Sequence, residues 1–210
     1  MNRENLLELL RQEGCSEFIV SAFHDVDRAL FIPQDAREFA YFNEALAIGE
    51  GATISQPSTI AFMLSLLELE KLSGKQNVII LEIGSGSGYV LALMNTILKK
   101  LHIQHYEIIG LEIIDSLVKK SQGVLRHEPC ITIFKKNGAG GYPQKAAFDR
   151  IIASAAFHAI PSHLFDQLTE GGILVCPVRN SIWQFKKLNG KVSSHEYGGF
   201  VFVPVIESAE

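Results

Sequence analysis

Asn77-Val78-Ile79-Ile80-Leu81-Glu82-Ile83-Gly84-Ser85-Gly86-Ser87-Gly88-Tyr89 is the stretch that decides the fold. Its first seven residues form a short apolar run closed by glycine, the pattern of a strand buried on both faces of a sheet. Beyond the glycines, Val90, Leu91, Leu93, Met94 and Leu98 read as a helix. A glycine turn between a buried strand and a helix is where a dinucleotide or nucleoside binds. Gly84, Gly86 and Gly88 let the backbone turn tightly and approach a ligand with no Cβ in the way. The spacing is G-x-G-x-G, not G-x-G-x-x-G, which argues against a nicotinamide dinucleotide. Glu82 would repel a pyrophosphate and suits an ammonium or hydroxyl-rich ligand.

Downstream, strands and helices alternate. Residues 107–112 read as a strand ending in Glu112, 115–126 as a helix, and Ile131 to Phe134 as a strand. Phe148 to Ala153 is a further strand, Pro161 to Leu168 a helix, and Ile173 to Pro177 a strand. Ile182 to Lys187 and Phe200 to Val205 read as strands, with a turn at Asn189-Gly190 between them. Glu112 stands where an acidic residue accepts hydrogen bonds from ribose hydroxyls. The plainer alternative is a tight strand–helix turn and a solvated strand end; the two features together favour an adenosine-type cofactor.

Upstream, Leu6, Leu7, Leu9 and Leu10 give residues 3–12 one apolar face behind an Asn2 cap. Phe18, Ile19, Ala22 and Phe23 suggest a second helix. Residues 31–57 lose periodicity and read as a long loop, a feature that is usually functional. From Thr59 a helix runs to about Ser73-Gly74. The expected fold is α/β: one doubly wound, mainly parallel Rossmann-like domain over 1–210, with helices on both faces. Residues 1–57 form a helical extension and loop, and 58–210 the cofactor-binding core.

With 47% hydrophobic and 20% charged residues, the chain is composed like a compact globular protein. A net charge of −4 with scattered lysine pairs gives no case for nucleic acid or a membrane surface. Cys15, Cys130 and Cys176 form no CxxC pair, which disfavours a disulfide framework or a zinc site and fits a reducing cytoplasm. No metal site is expected, and a monomer is the default.

Leu81 to Tyr89 resembles motif I of class I S-adenosylmethionine-dependent methyltransferases. Asp27-Arg28-Ala29-Leu30-Phe31-Ile32-Pro33, Leu46 to Pro57, Asn137-Gly138 with Gly141-Tyr142, Gly171-Gly172, Gln184 and Phe202-Val203-Pro204 resemble, in one consistent order, the protein-L-isoaspartate O-methyltransferases. The resemblance implies methylation of the free α-carboxylate of L-isoaspartyl residues in damaged proteins, with S-adenosyl-L-methionine as donor and S-adenosyl-L-homocysteine as product. The carboxylate is ionised near neutral pH and needs no general base. Rate then comes from alignment of two bound groups in a site that excludes water.

The resemblance assigns Ser55 to the catalytic position, as a hydroxyl that holds and orients the acceptor carboxylate. Without it, Ser55 reads as a turn serine that caps the next helix. Thr53 and Ile54 are expected to cover the donor, with Gly84, Ser85, Gly86 and Gly88 along its methionine and ribose side. Glu112 is expected on the ribose, and Asn137 and Gly138 on the adenine. The chain departs from the family where Asn43, Ala45 and Ala47 replace Asp, Pro and Pro, and where Ala52 replaces Gln. Asn137 replaces Asp, and Phe157-His158 replace Ala-Pro, so that the bulk of Phe157 is expected to reshape the pocket. Rival readings are a same-fold methyltransferase with another substrate and a non-catalytic adenosine-binding module.

Overall fold

The computed structural model describes residues 1–206. A seven-stranded sheet forms its centre. The strands are β3 (Val78–Ile83), β4 (Tyr106–Glu112), β5 (Ile131–Lys135), β6 (Phe148–Ala153), β7 (Leu168–Val178), β8 (Ser181–Leu188) and β9 (Lys191–Gly198), in the order β5-β4-β3-β6-β7-β8-β9. The pairs from β5 to β7 are parallel, and β8 and β9 add antiparallel to one edge. From β3 the chain steps outward to β4 and β5, then returns across the sheet to β6. The carboxyl ends of β3 and its neighbours are thus a topological switch point, where open α/β sheets bind ligands.

The strands divide their side chains with period two. Val78, Ile80, Ile108, Ile152 and Ile173 face one core, and Leu81, Ile83, Ile109, Ile151 and Leu174 the other. The first core takes residues from α1 (Arg3–Gln12), α2 (Glu17–Asp25), α3 (Pro57–Leu66), α4 (Tyr89–Lys100) and α5 (Asp115–Val124). Asn2 caps α1 as its sequence indicates, its Oδ1 accepting from Asn5 N at 2.9 Å.

The sheet is doubly wound, with its helices unevenly shared: the five α-helices lie on the first face, and the second carries the 3-10 segment Ser162–Gln167. The second face is covered by connections, with Ala139, Tyr142, Leu164 and Phe165 packed against it. The return to β6 passes through Asn137-Gly138-Ala139-Gly140-Gly141-Tyr142-Pro143, a run too rich in glycine to hold a helix. The helix expected over 161–168 is a six-residue 3-10 turn, Ser162–Gln167, since β7 begins directly at Leu168.

Three further expectations change. The helix expected from Thr59 to about Ser73 stops at Leu66, and the chain turns at Glu68 (φ 49°) into a short 3-10 segment. Its last carbonyls are claimed by the sheet: Gln184 Nε2 donates to Leu66 O at 2.5 Å, and Arg150 Nε to Leu67 O at 2.5 Å. Residues 31–57 are more ordered than a loop, since β1 (Leu46–Gly49) and β2 (Ala52–Ile54) pair as a hairpin. Phe200 to Val205 is not a strand of the sheet. The hairpin turning at Asn189-Gly190, with φ of 52° and 69°, is completed by Lys191–Gly198 instead. No helix among the described residues is long and apolar enough to cross a membrane.

Candidate active site

At the carboxyl end of β3 lies a cavity of about 880 Å³, counted out to its open mouth. Thr53, Ile54, Ser55, Gly84, Ser85, Gly86, Glu112, Asn137 and Gly138, each singled out in the sequence, all line it. Its floor is the glycine turn. Gly84 N and Ser85 N donate to Leu111 O at 2.8 and 3.0 Å, which ties the turn to the neighbouring strand. Gly86 lies under the hairpin, where a Cβ would approach Ile48 Cδ1 to 3.3 Å. Opposite, Gly138 lets residues 137–140 rest on the end of β3, since a Cβ there would fall 2.7 Å from Ile83 Cγ2.

The polar groups divide into satisfied and unsatisfied. Glu112, buried at the end of β4, accepts from Gly86 N (2.8 Å) and Ile114 N (2.9 Å), one on each oxygen. Each oxygen retains a lone pair for a further donor. Asn137 Oδ1 accepts from Ala139 N at 2.9 Å, so the oxygen expected to meet an adenine amine first closes its own turn. Glu82 is 1% exposed; its Oε1 accepts from Ser154 Oγ at 2.7 Å, whereas Oε2 has no partner. Ser85 Oγ is likewise buried and unpartnered. Burial, reinforced by the Glu112 charge and opposed by Ser154, pushes the Glu82 carboxyl up to about 8. Unmet buried polar atoms are rare, and two of them beside a cavity indicate a polar ligand.

A second groove adjoins the cavity. Its walls are Ala45, Ser58, Thr59, Phe62 and Ser65 on one side and residues 199–203 on the other. Thr53, Ser55, Ser154 and Val203 border both spaces. Ser55 therefore stands at the passage between them, half-buried, and its hydroxyl has no hydrogen-bond partner among the described residues. It is not a helix cap. The N-cap of α3 is Gln56, and the first-turn amide of Ser58 is held from a distance by Asn43 Oδ1 at 3.0 Å.

Two expectations are corrected. Gly88 does not line the cavity; it is the left-handed N-cap of α4 (φ 84°), packed against α5 and the residue following it. A Cβ there would lie 2.8 Å from Leu125 Cδ1 and 3.2 Å from Ser121 Cβ. Gly88→Ala is thus expected to cost about 1–3 kcal/mol of stability through backbone strain and overpacking. Urea denaturation checks this, and an unchanged midpoint would reject it. Phe157, expected to reshape the pocket, is instead buried in the second core, and its N donates to Pro177 O at 3.0 Å.

Sequence reasoning assigned no role to Arg28. Its side chain is fully buried, and its Nη2 donates to Ser55 O at 3.1 Å. An arginine heading an apolar run (Ala29, Leu30, Phe31, Ile32) was the available signal.

A strand–glycine turn–helix at a switch point, an acidic residue ending the next strand, and a covering hairpin define a class I methyltransferase architecture. Over residues 1–210 the chain matches the family described as protein-L-isoaspartate(D-aspartate) O-methyltransferase, and it belongs to that family. It is 37% identical to the protein-L-isoaspartate O-methyltransferase of Dictyoglomus thermophilum, over 97% of this chain and 90% of that one. It is 34% identical to that of Hyperthermus butylicus, over 97% and 88%. Among solved structures, it resembles a Plasmodium falciparum protein described as a protein-L-isoaspartate O-methyltransferase, in complex with S-adenosyl-L-homocysteine. The TM-score is 0.84 at 25% identity, covering 99% of this chain and 100% of that one.

Proposed function

We propose that this chain transfers a methyl group from S-adenosyl-L-methionine to the α-carboxylate of L-isoaspartyl residues in damaged proteins. The observation that carries this reading is Ser55, with an uncommitted hydroxyl, on the border shared by the cavity and the adjoining groove. The cavity at the end of β3 suits the donor. It offers two unpartnered buried polar atoms, Glu82 Oε2 and Ser85 Oγ, to an ammonium-bearing end, and the remaining lone pairs of Glu112 to ribose hydroxyls. Gly138 and Asn137 would lie along the adenine. The donor, when bound, supplies an electrophilic methyl on a sulfonium.

The chain's own residues then have positional tasks. Ser55 Oγ would donate a hydrogen bond to one carboxylate oxygen of the acceptor and leave the other free to attack. Thr53 and Ile54 would cover the reacting groups and exclude water. Catalysis rests on alignment, with no covalent intermediate on the serine. The adjoining groove, whose one charged lining residue among those described is Glu13, would take the acceptor peptide. We further propose one domain over 1–210, acting as a monomer on peptide substrates in a reducing cytoplasm, without nucleic acid or membrane. Its three unpaired cysteines support that compartment.

The test is labelled-methyl transfer to an isoaspartyl peptide beside the matching aspartyl peptide. Their free carboxylates differ in position by one methylene, a difference that sites discriminate by about 10- to 200-fold. Equal rates on both peptides would reject the isoaspartyl reading.

A further inference from the structure

We propose that Arg28 is a positioning residue for methyl transfer, a clamp on both feet of the β1–β2 hairpin that fixes the peptide carrying Ser55. This rests on the reading of Ser55 given above. Arg28 is 0% exposed, and no acidic side chain pairs with it among the described residues. Its guanidinium is held by backbone carbonyls alone. Nη1 donates to Ala40 O at 2.8 Å and Phe42 O at 3.4 Å, and Nη2 to Glu44 O at 3.0 Å and Ser55 O at 3.1 Å.

Glu44 lies just before β1 and Ser55 just after β2, so a single planar fork joins the two ends of the hairpin. Only arginine presents donors in such a fixed fork. Its own base is held in turn. Asp27 Oδ1 accepts from Ala29 N at 2.9 Å and from Tyr41 Oη at 2.6 Å, which locks the 3-10 turn at Arg28 to the segment entering the hairpin.

Burying an unpaired cation is costly, and a methionine of similar length would fill the same space without that cost. Burial has already lowered the guanidinium to about 10, and its Nε has no partner. A group so expensive and incompletely satisfied points to a need for its geometry. The carbonyl it grips belongs to Ser55 itself. Fixing that peptide plane fixes the Cα–Cβ direction and hence where Oγ stands at the passage. A displacement of about 1 Å at a reacting centre is enough to cost about 100-fold.

The experiment compares Arg28→Lys, Arg28→Met and Ser55→Ala with the unaltered enzyme, by isoaspartyl-peptide kinetics and by amide exchange over residues 44–55. Both Arg28 variants are expected to lose about 10- to 100-fold in kcat, with donor Kd within about threefold, and to exchange faster at 44–55. Ser55→Ala is expected to lose kcat with its exchange protection intact. Folded Arg28 variants with full kcat and full protection overturn the clamp. If Ser55→Ala keeps full turnover, the serine's role fails, while faster exchange in the Arg28 variants still supports the clamp on the hairpin. Should neither Arg28 variant fold, exchange in the unaltered chain decides. Residues 29–31 and the hairpin are expected to open together, and a hairpin exchanging tenfold faster than a protected 29–31 overturns the proposal.

Discussion

Ser55→Ala is expected to lower kcat on an isoaspartyl peptide by about 10- to 100-fold and to leave the dissociation constant for S-adenosyl-L-methionine within about twofold. The magnitude follows from a single hydrogen bond to a charged group, worth about 1.5–3 kcal/mol. The selectivity follows from position. Ser55 borders the passage, whereas the unpartnered groups assigned to the donor, Glu82 Oε2 and Ser85 Oγ, come from the floor of the cavity. Among the described residues no lysine, arginine or histidine lines the groove, so none of their side-chain cations stands ready to take over from the lost hydroxyl. Single-turnover methyl transfer with a parallel binding titration separates the two quantities. Full turnover, or an equal loss in both, would remove Ser55 from the alignment step.

The core of the fold could be read from residues 77–89 because two independent physical signals coincide there. An apolar run without alternation requires burial on both faces of a sheet. Glycines at its end require a turn where backbone meets ligand. The same logic placed Glu112, whose carboxylate faces the cavity from the end of β4. What failed was read from weaker signals. β9 is polar and almost wholly exposed, so its eight residues carry no burial pattern, and the strand was assigned instead to the apolar 200–205. That segment is apolar because it walls the two ligand spaces; its backbone bonds run to Ala156, with Val203 O accepting and Val205 N donating at 2.8 Å, and to Asn180 O, to which Phe200 N donates at 3.1 Å.

Gly88 shows the limit of motif reading. The three glycines look equivalent in sequence, yet Gly84 and Gly86 lie beneath a cavity while Gly88 permits two helices to approach. Arg28 and Asn43 were opaque for another reason. Each acts on backbone that is remote in sequence, on Ser55 and Ser58 respectively, and no local pattern encodes a side chain's reach across 15 to 27 positions. Asn43 also softens one departure from the family. An amide oxygen serves the α3 amide as a carboxylate oxygen would.

Glu82→Gln is expected to weaken donor binding at pH 8 by about 100-fold or more and to abolish its dependence on pH. Glu82 is buried with one oxygen unpartnered, and its carboxyl is raised to about 8, so it is largely protonated in the empty enzyme at pH 7. A donor that presents an ammonium to Oε2 stabilises the carboxylate, and binding then expels the proton. Affinity should therefore rise as pH is raised from about 6 to about 8, approaching tenfold per unit, and level off above. Removing one partner of a buried ion pair costs about 3–5 kcal/mol, which sets the size of the loss in the glutamine variant. The gap should narrow toward pH 6, where the unaltered enzyme must first give up its proton. The same shift bears on the empty protein with the opposite sense. A carboxyl raised in the folded state from the ordinary 4.5 contributes stability at low pH that is lost between about pH 4.5 and 8. The glutamine variant should lack that part of the slope. Calorimetric titrations at pH 7 in phosphate and in Tris, which differ in ionisation enthalpy, measure the expelled proton directly. Identical binding heats in the two buffers would mean that no proton leaves and that Glu82 does not hold the donor's ammonium.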